Sequence, residues 1–242
     1  MDAEDQTSLL LSSAPLVRIG QDSMPTGAAS ACLARYRDKL LLLTVAHATG
    51  DQANWALQLR YLPQVGTQLH RLGAMNFLAK ATLTSPVLED VDFSYVEIPG
   101  TTAPYRQEIE APTNRIKAEA PITVHTLTFS ETPDPDDTFG FCGMVMAQRE
   151  EHFGQQYFSG ELRPYVGLKL LRTEGDYHVF KLPFKHPGHV HFRGCSGAPI
   201  VNGAGTPVAL VCGGSEEHDE IWGISLTTYK VAIDITLDSA NA

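Results

Sequence analysis

Residues 193–201 read RGCSGAPIV. Ser196 stands among small residues, with Gly194 two positions before it, Gly197 directly after it and Cys195 as its neighbour. Glycine adopts backbone conformations closed to other residues, so the first half of the stretch can reverse sharply. The apolar run APIV that follows suits a buried strand. The stretch therefore reads as a tight turn feeding a strand, with a hydroxyl and a thiol at its bend. A Gly-x-Ser-Gly turn is often only a turn, and the rest of the chain has to decide.

Outward from that turn, the 242 residues fall into short apolar and β-branched runs. PLVRIG, ASACLARY, KLLLLTVA, WALQLRYL, FSYVEI, VGLKLL, YHVFKLP, PVALVCGG and IWGISL are examples, and many alternate with period two. That is the pattern of half-buried strands, and no long window carries a helical repeat. Turn-rich segments separate them at RYRDK, SETPDPDDT, TEGD and NGAGT. The reading is all-β, a sandwich or barrels. The tail YKVAIDITLDSANA suits a short helix or a last strand. A boundary is expected in EAPTNRIKAEAP, residues 110–121, which has prolines and charges and no apolar pattern. Cutting there gives an N-terminal tail (1–14) and two units (15–115 and 116–242), each the size of a small barrel.

Composition narrows the function. Hydrophobic residues make up 43%, enough for a packed core. The formal net charge of −10 opposes a nucleic-acid partner, because nothing would offset phosphate repulsion. No stretch approaches the roughly 18 apolar residues of a membrane span, and the first residues lack the basic start and long apolar core of a signal peptide. A soluble, cytoplasmic chain is expected. The four cysteines, Cys32, Cys142, Cys195 and Cys212, form no C-x-x-C pair, so neither a zinc site nor a disulfide scaffold is expected. Free thiols in a reducing compartment are the simpler reading. The acidic loop ETPDPDDT reads as a solvated loop rather than a calcium site.

Two further segments change the meaning of Ser196. LLLLTVAHATG (40–50) places His47 just past an apolar run, and LEDVDFSYVEI (88–98) places Asp92 at the start of an alternating one. A serine nucleophile needs a base to take its proton and a carboxylate to hold that base. Asp90 competes with Asp92, which is preferred because alternation begins directly after it. TVAHA, DFSYVEI and GCSGAP, in that order, resemble the histidine, aspartate and serine segments of the chymotrypsin-like serine proteases. TGAASACLA resembles the strand ahead of their histidine, and APIVNGAGTPVALVCGG the strand, turn and strand after the serine in bacterial members. The resemblance spans about residues 15–228.

That resemblance implies two packed antiparallel β-barrels with the active site in the cleft between them. It implies a serine endopeptidase needing no cofactor and no metal, acting on a protein or peptide substrate. Ser196 would be the nucleophile, His47 the general base and acid, and Asp92 its orienting carboxylate. The backbone N–H groups of Gly194 and Ser196 would form the oxyanion hole. The pocket for the substrate side chain would be built from residues 189–193 and 211–215, with Val190, His191, Cys212, Gly213 and Gly214 on its walls. No aspartate stands where a pocket selective for Arg or Lys would need it, so an apolar or neutral polar side chain is expected.

The chain also departs from the family. Cys195 replaces the aspartate that pairs with a newly cut N-terminus in zymogen-derived members, so activation by that ion pair is not expected. Cys195 as an alternative nucleophile stands one position out of line. Ala48 replaces the cysteine that, in animal members, pairs with one on the preceding strand, leaving Cys32 free. A protease fold that has lost activity and serves as a binding module is the other alternative. The resemblance to bacterial members admits a housekeeping or regulatory role, or that of an antiphage effector switched on by an activating partner protein. His186, His189 and His191 form an H-x2-H-x-H cluster; alternation would set His189 and His191 on one strand face, and exposed or pocket-lining histidines outweigh metal binding.

Overall fold

The computed structural model describes residues 3–50, 54–82, 85–110, 113, 115–152 and 155–239. The alternating runs are strands. In the first half these are β1 (Ala14–Ile19), β2 (Pro25–Tyr36), β3 (Lys39–Thr44), β4 (Trp55–Leu62), β5 (Gly66–Arg71), β6 (Asn76–Thr82) and β7 (Ser85–Ile98). They form one sheet in the order β5-β4-β1-β2-β3-β7-β6. The segment expected as a boundary holds a two-stranded ribbon, β8 (Tyr105–Glu110) with β9 (Arg115–Pro121). Residues 111, 112 and 114 lie outside the described residues. Strand β10 (Val124–Thr126) then returns to the first sheet, parallel to β2.

The second half is a closed barrel, β11-β12-β13-β16-β15-β14. Its strands are β11 (Phe139–His152), β12 (Gln155–Glu174), β13 (Tyr177–Lys181), β14 (Pro199–Val201), β15 (Pro207–Ser215) and β16 (Glu220–Ser225). Phe139, Phe141, Leu168, Phe180, Ile200 and Ala209 fill it from all sides. The architecture is mainly β, with a closed barrel beside a second sheet system, as the two-barrel reading expects.

Helices occupy the ends. α1 (Ala3–Leu11) lies in the segment read as a tail, and its Leu9 is buried against Cys142 and Val201. α2 (Ala46–Thr49) is a single turn after β3. α3 (Lys230–Ser239) closes the chain. Its Ile233 and Leu237 join Leu41 and Leu43 of β3 and Leu210 and Ile224 of the barrel in one cluster. Leu40 and Leu42 enter a different cluster with Leu16, Trp55 and Leu57. Strand β3 is therefore apolar on both faces, and each fully buried leucine contributes about 1.5–3 kcal/mol. The strand that delivers His47 is thus held from both sides.

Candidate active site

His47 sits in α2, directly after the last residues of β3. The one-turn helix is fastened from within and from outside: Thr49 Oγ1 donates to the Val45 carbonyl at 3.2 Å, and Trp55 Nε1 donates to the Thr49 carbonyl at 2.8 Å. Thr44 of β3 stands opposite Ser94 of β7. That register sets Asp92, two residues before Ser94, beside His47. Val91 and Phe93 are buried on either side of it. Asp90 is exposed and faces Ala79 across the ladder. The carboxylate that meets the histidine is Asp92.

Asp92 holds His47 twice. Oδ1 accepts the His47 backbone N–H at 2.8 Å, and Oδ2 lies 2.8 Å from ring Nδ1. An ionised carboxylate can only accept, so Nδ1 carries a proton and a neutral ring has its lone pair on Nε2. Nε2 lies 3.0 Å from Ser196 Oγ. The three side chains from three separate segments are in one hydrogen-bonded line.

The turn that presents Ser196 is built by hydrogen bonds and by missing side chains. Cys195 N–H donates to the Phe192 carbonyl at 2.9 Å, closing a turn over 192–195. Gly194, its third residue, has φ +101°, while Arg193 is not in the left-handed region. That combination is a type II turn, which needs a positive φ at this position. Among the described residues, neither Gly194 N–H nor Ser196 N–H has a backbone partner. Gly197 follows with φ +88°, and a Cβ there would lie 2.1 Å from the Ser30 carbonyl oxygen. Only glycine fits.

Ser30 and Thr44 were not singled out in the sequence, and both support this turn. Ser30 N–H donates to the Ser196 carbonyl at 2.9 Å, and Ser30 Oγ to the Gly194 carbonyl at 2.8 Å. Thr44 Oγ1 donates to the Ser30 carbonyl at 2.8 Å. Both are buried. The available signal was a hydroxyl within an apolar strand, since a buried polar group has to find a partner. Cys195 is fully buried; its Sγ donates to the Met144 carbonyl at 3.4 Å and packs on Gly143. Burial pushes its thiol pKa up, which keeps it a thiol rather than a thiolate.

Beside Ser196 lies a cavity of about 330 Å³. Val190, Cys212, Gly213 and Gly214 line it. His191 does not. Residues 189–194 form turns, not a strand, so alternation does not apply, and His191 Nε2 lies 2.6 Å from Tyr165 Oη. His186 and His189 stand on the wall instead, with Arg193. All four cysteines are free, and burial raises Cys32 and Cys142 to about 12. Among the described residues, no three His, Cys, Asp or Glu side chains gather as a metal site, and no helix is long and apolar enough to cross a membrane.

No protein-family model and no curated relative matches the sequence. Solved structures do match. The chain is similar to neuropsin, a serine protease of mouse brain, at 14% identity and TM-score 0.58, over 95% of this chain and 96% of that one. It is similar to human heparin binding protein at 12% identity and TM-score 0.57, over 98% and 94%. It is similar to a serine endoprotease of Yersinia pestis at 13% identity and TM-score 0.55, over 96% of this chain and 64% of that one. The chain thus spans under two thirds of the Yersinia protein. At such identities the likeness concerns the backbone, and the backbone is that of the chymotrypsin-like serine proteases.

Proposed function

We propose that this chain is a serine endopeptidase. The observation that carries the reading is His47, 2.8 Å from Asp92 on one side and 3.0 Å from Ser196 on the other. In this reading Ser196 Oγ attacks the substrate carbonyl carbon while its proton passes to His47 Nε2. The carbonyl oxygen becomes an anion and accepts from the N–H groups of Gly194 and Ser196, each worth about 3–4 kcal/mol in the transition state. Imidazolium Nε2 then returns the proton to the leaving nitrogen as the C–N bond breaks, giving an acyl-enzyme and a free amine. Water repeats the sequence, and its oxygen ends in the carboxyl product. Asp92 stays ionised, fixing the tautomer and stabilising the imidazolium.

The oxyanion turn needs no newly cut N-terminus in this account. Its fastenings are Ser30 and the buried Cys195, which belong to the folded chain. Turnover without proteolytic activation and without an activating partner is the expectation. Four free thiols suit a reducing, cytoplasmic setting. Cysteine chemistry at Cys195 is the weaker reading, because that thiol is buried with a raised pKa. A pure binding role akin to that of the heparin-binding relative is also weaker: a polyanion would meet a chain of net charge −10.

A fluorophosphonate probe tests the proposal. It should label the intact chain at Ser196, and Ser196→Ala should abolish labelling and reduce peptide cleavage by roughly 10⁴- to 10⁶-fold. Cleavage near the original rate in Ser196→Ala would overturn it.

A further inference from the structure

Cys195 rests on strand β11, and β11 rests in turn on helix α1. Along β11 the side chains divide. Phe139, Phe141 and Val145 join the barrel core together with Cys195, whereas Cys142 joins Leu9 of α1. Successive side chains of a strand point to opposite faces, so Leu9 bears on one face at Cys142 and Cys195 on the other at Gly143. The second contact is close: a Cβ on Gly143 would lie 2.8 Å from Cys195 Sγ. The carbonyl of the next residue, Met144, accepts that thiol at 3.4 Å. Leu9 also packs against Val201, at the end of the strand β14 that follows the serine turn. One leucine therefore bears on the strand beneath Cys195 and on the strand that continues from Ser196.

The seat of α1 is narrow. A helix of nine residues is marginal by itself, so its docking must hold it. Its leucines, Leu9, Leu10 and Leu11, stand together in the last turn, and of the three only Leu9 is fully buried. Carbonyls at a helix C-terminus lack partners within the helix, and here other groups supply them. Ser12 N–H and Oγ donate to the Leu9 carbonyl at 3.1 and 2.8 Å. Arg106 Nη1 donates to that of Leu10 at 3.3 Å, and Thr123 N–H to that of Leu11 at 2.8 Å. The end of the helix is thus tied to the segment between the two halves. Space remains on both sides of the seat, about 260 Å³ beside Leu9 and Ser12 and about 720 Å³ beside Leu10, Leu11 and Met144. With room on either side, the fit against β11 depends on Leu9.

Resting on the endopeptidase reading, we propose that Leu9 is a positioning residue for Ser196 and the oxyanion turn. With Leu9 seated, β11 is fixed beneath Cys195, and the N–H groups of Gly194 and Ser196 keep their aim at the substrate oxygen. With the seat empty, β11 gains room to move away from Cys195, and that aim is lost. The cavity beside Ser196 is lined by other residues, so the loss falls on the chemical step and not on substrate binding. The segment read from sequence as a tail becomes a brace of the active site.

Leu9→Ala in the full chain tests this, with Leu9→Val as a smaller truncation and Leu9→Met as a refilling of the seat. At a temperature where circular dichroism shows each chain folded, Leu9→Ala should lower kcat roughly 10- to 100-fold with KM unchanged. Leu9→Val should fall between it and the parent, and Leu9→Met should recover most of the loss. A second readout needs no turnover. The rate at which N-ethylmaleimide modifies each cysteine is followed by mass spectrometry. In Leu9→Ala and Leu9→Val the rates at Cys142 and Cys195 should rise together, by roughly 10-fold or more in Leu9→Ala, while buried Cys32 in the other half keeps the parent rate. A rise at Cys142 without one at Cys195 overturns the proposal, because the movement then stops at β11. An equal rise at Cys32 overturns it too, since the whole chain then loosens. So does an unchanged kcat in a parent that cleaves. A parent that neither cleaves nor takes the fluorophosphonate strikes the endopeptidase reading instead, and the cysteine rates alone then decide whether α1 braces the turn.

Discussion

Asp92 has two jobs that one substitution separates. Oδ1 takes the His47 backbone N–H and Oδ2 faces ring Nδ1. In Asp92→Asn the amide oxygen keeps the backbone N–H, so the NH₂ group is turned toward Nδ1. Nδ1 must then accept, the proton moves to Nε2, and Nε2 can no longer take the Ser196 proton. Cleavage should fall about 10⁴-fold while the unfolding midpoint stays close to that of the parent. Equal losses of stability and rate would mean that Asp92 acts structurally. Ser30 makes the complementary case. Ser30→Ala strips the Gly194 carbonyl of its donor, at a cost of about 1–3 kcal/mol in urea unfolding. It should also slow fluorophosphonate labelling, since the turn that presents Ser196 loses a fastening; a lower stability with unchanged labelling would remove Ser30 from the site. Gly197→Ala should be worse than either. It combines a left-handed backbone with a Cβ inside the Ser30 carbonyl, a loss of roughly 2–6 kcal/mol measurable by thermal unfolding.

At the scale of elements, period two was a good guide where side chains alternate between a core and water, and a poor one elsewhere. YKVAIDITL alternates Val231, Ile233, Ile235 and Leu237, which is the signature of a strand. It is the helix α3, in which Ile233 and Leu237 share the buried face and Val231 and Ile235 are exposed. The i, i+4 pair is hidden within a two-residue rhythm. HVHFR misleads in the same way, because the left-handed glycines 188 and 194 fold it into turns that no hydropathy rhythm records. By contrast, His47 and Asp92 were readable because each sits at a fixed offset from a strand whose register is set by its own leucines and aromatics. The docking of α3 carries its own test. Ile233 is fully buried between the sheet and the barrel, and Asp234 receives the Tyr36 hydroxyl at 2.6 Å. Ile233→Ala should cost about 2–5 kcal/mol by calorimetry. A cost under about 1 kcal/mol would mean that the helix is loosely held.

At the scale of the whole molecule, the perturbed groups set a stability window. His125, His178, His186 and His191 all have pKa values lowered from 6.5, with burial the first cause in each. Such a group holds fewer protons folded than unfolded, so stability falls as pH drops below about 6.5. Glu220, lowered by its hydrogen bond to Arg172, and Asp234, lowered by that to Lys230, have the same sign with ordinary values of 4.5 and 3.8. Their contribution is full above those values and is lost as pH falls through the lowered ones. Cys32 and Cys142 act in the other direction. Burial raises them from 9.0 to about 12, so the folded chain holds more protons than the unfolded one between those limits, and stability falls as pH rises above about 9. A plateau from about pH 6.5 to 9 should result, with two descending steps on the acid side and one on the alkaline side. Urea midpoints followed by tryptophan fluorescence across the pH range would reveal it. Cys32→Ala with Cys142→Ala should make the alkaline limb shallower without removing it, because burial raises Cys195 and Cys212 as well, and His178→Gln should shrink the first acid step. An unchanged midpoint from pH 7 to 5 would show that the buried imidazoles gain protons in the folded chain as readily as in the unfolded one, and that their burial does not govern its acid stability.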